Sequence, residues 1–563
     1  MNRNPDFIKS TINTYDPFGI FDTCSAVIKA WGNNPEKLLE NMYNFHHSLF
    51  DIQQQVALRC MGRFIPDFVA PVSYDERFRD NAWVENPWFD FLKEYYLLCT
   101  RAIEDTIFAT PDIPDKTRRR AAFWARQVLD AVSPSNYLWT NPTALNRLIT
   151  TGGQSFAEGY KLWLDDITRG DISMVDESAY KLGKDIACTP GEVVYRNELL
   201  EVIQYVPSTA EVHSTPIVFI APWINKYYIL DLTPEKSLIR FLVEKGYTVF
   251  ITSWKNPGTD MHDVTFEDYL TKGALTIINV AREICNVPSV HAVGYCIGGT
   301  LLTALMAWFA QDKKTDSPVS QWTLLTTLVD FSDPGDIDAF ITEESIQWLE
   351  QKMEDEGYLD GKDMGSSFRW LRPNGLIWRY VIQNYLYGES PPPMDVLQWN
   401  VDCTRLPKQM HSFYLRKFYL ENSMVEPGTL ILAGRPVDLS IINTPLYIVG
   451  TEQDHIAPWK ETFKTANLIS APVQYTLATS GHILGILSPP VDPPKRRYWS
   501  GVANGAKDPE AWKNQLEKIP GSWWDNWIKW LDECCGPMVT ARSPGNEKYI
   551  PLVLAPGEYV LEK

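Results

Sequence analysis

Several features that would place this chain of 563 residues in a specialised class are missing. It has no run of about 18 apolar residues, so no membrane-spanning helix is predicted. The N-terminal stretch, residues 1–18, is polar and lacks the apolar core of a secretory signal. Lysine and arginine total 52 against 70 aspartate and glutamate residues, a formal net charge of −18. This acidic balance argues against nucleic-acid binding through a general basic field.

Cysteine forms no pattern typical of a disulfide framework or a metal site. The nine cysteines are scattered, odd in number and without a C-x-x-C pair. That pattern favours reduced thiols in a cytoplasm, and neither a metal nor a cofactor is predicted. Cys534 and Cys535 are adjacent and precede Gly536, which predicts an ordinary surface turn.

Aromatic residues, by contrast, are abundant. They make up 13% of the chain and include 21 tryptophans. Hydrophobic residues at 45% and charged residues at 22% are typical of a globular protein and exclude disorder for most of the chain. So much aromatic surface must pack in cores or cover an apolar ligand or interface.

The hydrophobic pattern changes its period along the chain. Residues 1–180 place apolar side chains three and four positions apart, which predicts a mostly helical N-terminal domain. Residues 181–563 alternate apolar strands with helices, which predicts βαβ units and a parallel sheet. A Trp-, Tyr- and Pro-rich stretch at 333–440 interrupts this alternation, and we interpret it as an inserted cap or lid.

The segment 294–298 reads G-Y-C-I-G and lies between a predicted strand and a predicted helix. This is the G-x-S-x-G nucleophile elbow of α/β-hydrolases with cysteine in place of serine. The glycines allow a sharp turn that projects the nucleophile, and Cys296 lies at a helix N-terminus, where the dipole favours thiolate. The sequence therefore predicts an α/β-hydrolase fold with Cys296 as nucleophile; the alternative is a buried structural cysteine behind a packing turn.

The α/β-hydrolase order places the acid and then the histidine after the nucleophile. Only three of the eight histidines follow Cys296. His411 lies in the presumed cap, and His455 directly follows an aspartate. His482 follows a predicted strand, and Asp454 ends the strand before it, so we predict His482 as base and Asp454 as the residue that orients it. Asp454 could instead cap the following helix, and His482 could be a turn histidine.

An oxyanion hole requires two backbone N–H groups. One is expected from Ile297, directly after the nucleophile, and the other from the loop around Trp223 and Ile224.

Beyond these patterns, the chain resembles the polyhydroxyalkanoate synthases, most closely the class I single-subunit enzymes. The likeness extends from about residue 75 to the C-terminus. Besides the cysteine elbow, it rests on APWINKYYILDL (221–232), SWKNP (253–257), QWNVDCTRLP (398–407), FYLENSMV (418–425), DHIAPW (454–459), SGHILGI (480–486) and GSWW (521–524).

The resemblance implies an enzyme that joins the (R)-3-hydroxyacyl groups of CoA thioesters into polyester and releases CoA, which is a product and not a cofactor. It implies catalytic roles for Cys296, Asp454 and His482. It also implies a homodimer on cytoplasmic polymer granules, with granule-associated proteins as further partners. Supporting positions fall on Trp399, Asp402 and His455, and a substrate-path arginine falls on Arg372.

The sequence departs from the family at three places. Leu484 stands where the family has a small residue, and this departure bears on the side-chain length of the monomer that the acyl pocket accepts. Arg405 replaces an asparagine, and Pro373 and Gly375, which follow Arg372, stand where the family is expected to have other residues. The net charge of −18 repels CoA, so a locally basic access channel is expected; Lys226 and Arg372 are the candidates.

Two other functions compete with polyester synthesis. A cysteine-elbow hydrolase, either a thioesterase or a depolymerase, would use the same three residues, although most such lipases use serine. A non-enzymatic granule-coat protein would not need a complete Cys–Asp–His set.

Overall fold

The computed structural model describes residues 16–63, 65–72, 75–312 and 316–563. The chain forms two compact units. The first contains the described residues of Met1–Asp176 together with Ser366–Met394, and the second contains Glu177–Gly365 and Asp395–Lys563. Part of the predicted cap, residues 366–394, thus belongs to the first unit.

The first unit is helical. Its described helices are Ile20–Gly32, Pro35–Cys60, Ala82–Glu85, Pro87–Phe108, Asp115–Ala131, Pro142–Thr150 and Gln154–Arg169, with a 3₁₀ turn at Pro134–Asn136 and π-helical segments at Asn374–Trp378 and Val381–Leu386. The helices Ala82–Glu85 and Pro87–Phe108 are separate, because Asn86 has extended backbone and its side chain caps the helix that starts at Pro87.

The second unit is built on an 11-stranded sheet formed by its described residues. In chain order its strands are β1 (Gly191–Arg196), β2 (Leu200–Tyr205), β3 (Ile217–Ile220), β4 (Val249–Trp254), β5 (Val290–Tyr295), β6 (Val319–Leu325), β7 (Leu446–Thr451), β8 (Val473–Ala478), β9 (Arg497–Val502), β10 (Ile519–Pro520) and β11 (Val553–Leu554). Their order across the sheet is β10-β9-β8-β7-β6-β5-β3-β4-β2-β1-β11.

Six of these strands, β8-β7-β6-β5-β3-β4, are parallel to one another, and the outer strands pair antiparallel. The predicted parallel sheet is therefore confirmed. Alternate residues of β3 enter different cores, Val218 and Ile220 on one face and Ile217 and Phe219 on the other. Such double-sided burial is why these strands read as continuous apolar runs.

Helices and three small two-stranded sheets complete the second unit. The helices are Leu238–Glu244, Phe266–Asp268, Thr276–Cys285, Ile297–Ala310, Glu343–Lys352, Asp395–Val401, Lys408–Tyr414, Trp459–Lys464, Pro509–Asn514 and Trp523–Cys534, and Gly361–Leu371 continues into the first unit. π-Helical segments are Tyr269–Leu275 and Leu415–Leu420; 3₁₀ turns are Tyr227–Asp231, Thr259–Met261, Gly335–Phe340, Leu439–Ile441, Thr465–Asn467 and Tyr559–Leu561. The small sheets pair Glu211–His213 with Met538–Thr540, Tyr358–Leu359 with Leu406–Pro407, and Ile431–Leu432 with Arg435–Pro436.

The C-terminal helix Trp523–Cys534 corrects one expectation from the sequence. Cys535 is fully buried, so the adjacent cysteines do not form an ordinary surface turn. The reason is that the end of this helix packs against the sheet: the backbone N–H of Thr215 donates to the Cys535 carbonyl (3.0 Å).

Among the described residues, no helix combines the length and apolar character needed to cross a bilayer.

Candidate active site

Cys296 occupies the turn between β5 and the helix Ile297–Ala310. Its backbone angles, φ 53° and ψ −125°, lie outside the regions that non-glycine residues favour. The Cys296 N–H donates to the Leu325 carbonyl on β6 (2.9 Å), and its carbonyl accepts from the N–H groups of Gly299 (2.9 Å) and Thr300 (3.2 Å). The turn is thus held on both sides in a strained geometry that projects the sulfur.

The three glycines around Cys296 are required by close approach. A Cβ on Gly298 would lie 2.3 Å from the Ile220 carbonyl oxygen at the end of β3. A Cβ on Gly294 would lie 2.4 Å from the Gly299 Cα, and one on Gly299 would lie 2.0 Å from Thr327 Oγ1. The strand β5, the helix Ile297–Ala310 and the end of β3 can therefore approach one another only because these three residues are glycines, which have no side chain.

Asp454 and His482 meet at the same edge of the sheet. They follow β7 and β8, parallel neighbours whose carboxyl ends lie side by side. His482 Nδ1 lies 2.7 Å from Asp454 Oδ2, and both side chains are buried. Asp454 Oδ1 also accepts from the N–H groups of Ile456 (2.9 Å) and Ala457 (2.8 Å). Since Nδ1 is engaged by Asp454, Nε2 is the nitrogen available for the sulfur of Cys296.

The electrostatics of the three groups are coupled. Burial by itself lowers the pKa of His482, but the charges on Asp454 and Cys296, with hydrogen bonds to both, raise that pKa to about 10. Burial acts to raise the pKa of Asp454, yet the charge of His482 and the hydrogen bonds it accepts hold it below its usual value. The imidazole therefore holds a proton between a carboxylate and the sulfur at neutral pH.

Two tyrosines that the sequence did not single out lie near Cys296. Burial, with the charge on Cys296 among the further causes, raises the pKa values of Tyr414 and Tyr419. Their rings pack 5.5 Å apart, and the Phe331 ring lies 4.8 Å from that of Tyr419. Both tyrosines come from the aromatic run at 411–420, which was the available signal for an apolar cover over the sulfur.

The loop that follows His482 is held by the C-terminal helix. Trp523 Nε1 donates to the Gly485 carbonyl and Trp524 Nε1 to the Ile486 carbonyl, each at 2.9 Å. Both indoles are fully buried. The two tryptophans are therefore core residues that position this loop. They do not form an exposed aromatic surface that could cover an apolar ligand.

The loop around Trp223 and Ile224 follows β3 and is tied to Thr404. The Thr404 hydroxyl donates to the Trp223 carbonyl, and the Thr404 N–H donates to the Ile224 carbonyl (3.2 Å). These contacts fix the backbone from which the second oxyanion N–H is predicted. The other predicted donor, Ile297 N–H, lies in the first turn of its helix, where N–H groups lack intrahelical partners.

Trp399 and Asp402 support this same loop through Lys226. Trp399 Nε1 donates to the Lys226 carbonyl (2.7 Å), and Asp402 Oδ1 lies 2.8 Å from Lys226 Nζ. The Tyr228 hydroxyl donates to Asp402 Oδ2 (2.9 Å). Because Lys226 is buried and paired with Asp402, its charge is used within the loop and not offered to an anionic substrate.

The other predicted site residues occupy different places. His455 is half-buried directly after Asp454, and Leu484 is 41% exposed in the loop after His482. Arg372 is exposed and belongs to the first unit. Burial lowers the pKa of His411 to about 4, so this histidine is neutral.

Comparison with known proteins agrees with this architecture. Residues 74–242 match the family model described as the N-terminus of poly-beta-hydroxybutyrate polymerase (PhaC), and residues 225–489 match the alpha/beta hydrolase fold. The predicted α/β-hydrolase fold is thereby confirmed.

Close relatives span nearly the whole chain. It is 40% identical over 546 residues to the poly(3-hydroxyalkanoate) polymerase of Methylorubrum extorquens, covering 96% of this chain and 89% of the relative. It is 40% identical over 496 residues to the poly(3-hydroxyalkanoate) polymerase subunit PhaC of Cupriavidus necator, covering 87% and 83%. The corresponding subunit of Rhizobium meliloti is 38% identical over 542 residues, covering 96% and 88%. The chain therefore belongs to the poly(3-hydroxyalkanoate) polymerase family of acyltransferases.

Proposed function

We propose that this polymerase uses (R)-3-hydroxyacyl-CoA thioesters, such as 3-hydroxybutyryl-CoA, and carries the acyl group as a thioester on Cys296. The observation that carries the proposal is the contact of His482 with both Asp454 and Cys296 at one edge of the sheet. His482 acts as base and acid, and Asp454 fixes its tautomer and orientation.

Loading is a thioester exchange. The Cys296 sulfur attacks the thioester carbonyl, a C–S bond to Cys296 forms, and the C–S bond to CoA breaks. His482 supplies a proton to the departing CoA sulfur. The backbone N–H groups of Ile297 and Ile224 stabilise the oxyanion of the intermediate. Because one thioester replaces another, the acyl group remains activated on the enzyme.

Elongation consumes this activation. The 3-hydroxyl of the next monomer attacks the Cys296 thioester, His482 takes the hydroxyl proton, and an oxoester replaces the thioester. The conversion runs downhill, and the sulfur of Cys296 is regenerated. A serine nucleophile would lose the activation at loading.

Water competes with the 3-hydroxyl, so the acyl group must be kept dry. The buried Tyr414 and the Tyr419 and Phe331 rings supply an apolar cover beside Cys296. This cover favours transfer to an alcohol over hydrolysis.

The decisive experiment follows CoA release and product size together. Purified protein is mixed with 3-hydroxybutyryl-CoA; we expect CoA release with high-molecular-mass polyester, and loss of both in Cys296→Ala. Free 3-hydroxybutyrate as the sole product would indicate a thioesterase, and absence of CoA release would indicate a coat protein. Substantial residual activity in Cys296→Ala would refute the nucleophile assignment.

We further propose, from the resemblance to the family, a homodimer on cytoplasmic polymer granules. Sedimentation of the purified protein with and without substrate tests the dimer. Fractionation of polymer-producing cells tests the granule association, and a protein that remains free in the cytoplasm would contradict it.

A further inference from the structure

A second cluster of reactive side chains lies in the same unit as the triad. One ring nitrogen of His291 and the sulfurs of Cys534 and Cys535 all lie within 4.8 Å of one another. His291 is the second residue of β5, whereas Cys296 follows the last residue of that strand. At about 3.3 Å per residue, roughly 16 Å of strand separates the two positions. The cluster is therefore remote from the acyl-transfer site.

The imidazole of His291 is poised for a ligand. Its side chain is fully buried, and its Nε2 lies 3.0 Å from Thr323 Oγ1, which also accepts from Trp527 Nε1 (3.0 Å). Its Nδ1 is buried and has no hydrogen-bond partner of normal geometry among the described residues, and the imidazole interacts with the Cys534 sulfur. Leaving such a nitrogen unpaired is costly. An imidazole held by one nitrogen with the other free is the arrangement typical of a metal-bound histidine.

The two thiols are held rigidly beside it. The Cys535 N–H donates to the Leu531 carbonyl (2.8 Å), which fixes the end of the C-terminal helix. Gly536 then turns the chain with φ 75°, and a Cβ there would lie 2.3 Å from Ser214 Oγ. Cys534 is partly exposed, which provides access from solvent. Both cysteines are free thiols.

We propose that His291, Cys534 and Cys535 form a binding site for a thiophilic d¹⁰ cation, Zn²⁺ or Cu⁺. Two sulfurs and one imidazole are soft donors, which select these ions over Mg²⁺ and Ca²⁺, whose ligands are oxygens. Three protein ligands suit trigonal Cu⁺, or Zn²⁺ with a fourth position on the exposed side of Cys534. Binding displaces the thiol protons to solvent, one for each sulfur that ligates.

The location gives the bound ion a structural consequence. It would join β5 to the helix Trp523–Cys534, the helix whose indoles hold the loop after His482. An ion that binds only the folded chain stabilises it by mass action. The sequence predicted no metal because the chain lacks a C-x-x-C pair. That argument does not cover this cluster, because His291 lies on a strand 243 positions before Cys534.

The test uses the reduced, chelator-stripped full chain carrying Cys296→Ala, so that the catalytic thiol cannot bind the ion. Zn²⁺ and Cu⁺ are each titrated against a chromophoric competitor. We expect one equivalent of at least one ion to bind, and a higher thermal unfolding midpoint with that ion. Cys534→Ala, Cys535→Ser and His291→Gln should each weaken binding at least tenfold, while Cys285→Ser, a change at another buried cysteine of the same unit, should not.

Two results would overturn the proposal: neither ion binds stoichiometrically, or the ion binds equally well to the three variants. Circular dichroism checks that each variant folds. Cys534→Ala alters a partly exposed side chain, so it keeps the test decisive if a change at the buried Cys535 impairs folding.

Discussion

Single residues around Cys296 are constrained by space as much as by chemistry. Gly298 lies against the end of β3, and its missing side chain allows the Cys296 turn to approach the loop that begins with Ala221. The strained backbone of Cys296 persists because its N–H donates to Leu325 and its carbonyl accepts from Gly299 and Thr300. The geometry of this turn therefore depends on glycines, whose missing side chains leave room for the neighbouring backbone.

We predict that Gly298→Ala lowers the free energy of unfolding by about 1–3 kcal/mol, the usual cost of overpacking a filled site. The added Cβ would lie 2.3 Å from the Ile220 carbonyl oxygen and 2.8 Å from that of Ala221. Urea unfolding measures the change. Gly375→Ala is the matched control, since a Cβ there meets nothing within 4 Å. Equal effects of the two substitutions would contradict the close-approach argument.

The raised pKa of His482 makes stability depend on pH. The pKa of His482 lies near 10 in the folded chain, against an ordinary value of 6.5. The stabilisation that protonated His482 contributes to the folded chain is therefore complete below about pH 6.5 and is lost as the pH rises through 10. Asp454→Asn removes the leading charge that raises the pKa. We therefore expect the stability difference between the parent and Asp454→Asn to shrink from pH 6.5 to pH 10, measured by denaturant unfolding.

The matched comparison repeats this series in a His482→Gln background. There the difference should be flat across the same pH range, because the titrating partner is gone. A difference that grows with pH in the parent background would be the wrong sign for a raised histidine pKa.

At the scale of elements, the C-terminal helix positions the loop that follows His482. The indole N–H groups of Trp523 and Trp524 donate to consecutive carbonyls of the loop that follows His482. The helix lies against the sheet through a fully buried tryptophan cluster that includes Trp527. A tryptophan can serve both purposes because it combines a large apolar ring with one hydrogen-bond donor.

We predict that Trp523→Phe lowers kcat for CoA release more than it raises KM, because the loop loses its donor to the Gly485 carbonyl. Its cost in stability should be about 1–2 kcal/mol for the unpaired carbonyl. Trp512→Phe is the control: Trp512 is also buried and donates to a backbone carbonyl, that of Val502, on β9. It should cost similar stability and leave kcat unchanged, and an equal loss of kcat would show a merely structural effect.

At the scale of the second unit, distant parts of the chain converge on the loop around Trp223 and Ile224 that follows β3. Lys226 pairs with Asp402 and donates to the Glu562 carbonyl (2.9 Å). The N–H of Asn256 donates to a carboxylate oxygen of Glu562 (3.1 Å). The end of the chain is thus joined to the loop after β3, and the integrity of the site depends on contacts more than 300 positions apart.

We predict that Lys226→Met lowers the free energy of unfolding by about 3 kcal/mol, the low end for breaking a buried pair, since Asp402 is partly exposed. It should also lower kcat by loosening the backbone near Ile224. Lys352→Met is the control, because Lys352 and Asp363 form an exposed pair (42% and 38%), worth at most about 1 kcal/mol. Thermal unfolding and CoA release measure both variants; equal losses would contradict the role of Lys226.

The aromatic residues illustrate how far sequence reasoning extends. The run at 411–420 supplies Tyr414 and Tyr419 beside Cys296, and an apolar cover there stays a prediction. Trp523 and Trp524, equally prominent in the sequence, are interior side chains. Composition reports how much aromatic surface a chain has, but not whether another element covers it.

The sequence by itself determined the α/β-hydrolase fold and the elbow at Cys296, and it predicted Asp454 and His482 as the partners of that cysteine, because hydrophobic period, glycine spacing and chain order are local or linear signals. Only the tertiary structure decided that Lys226 is buried against Asp402, that tryptophans hold the loop after His482, and that His291 meets Cys534 and Cys535. Each of these contacts joins residues more than 35 positions apart, and the packing of helices and loops on the sheet brings them together. No periodicity or spacing along the chain records that packing.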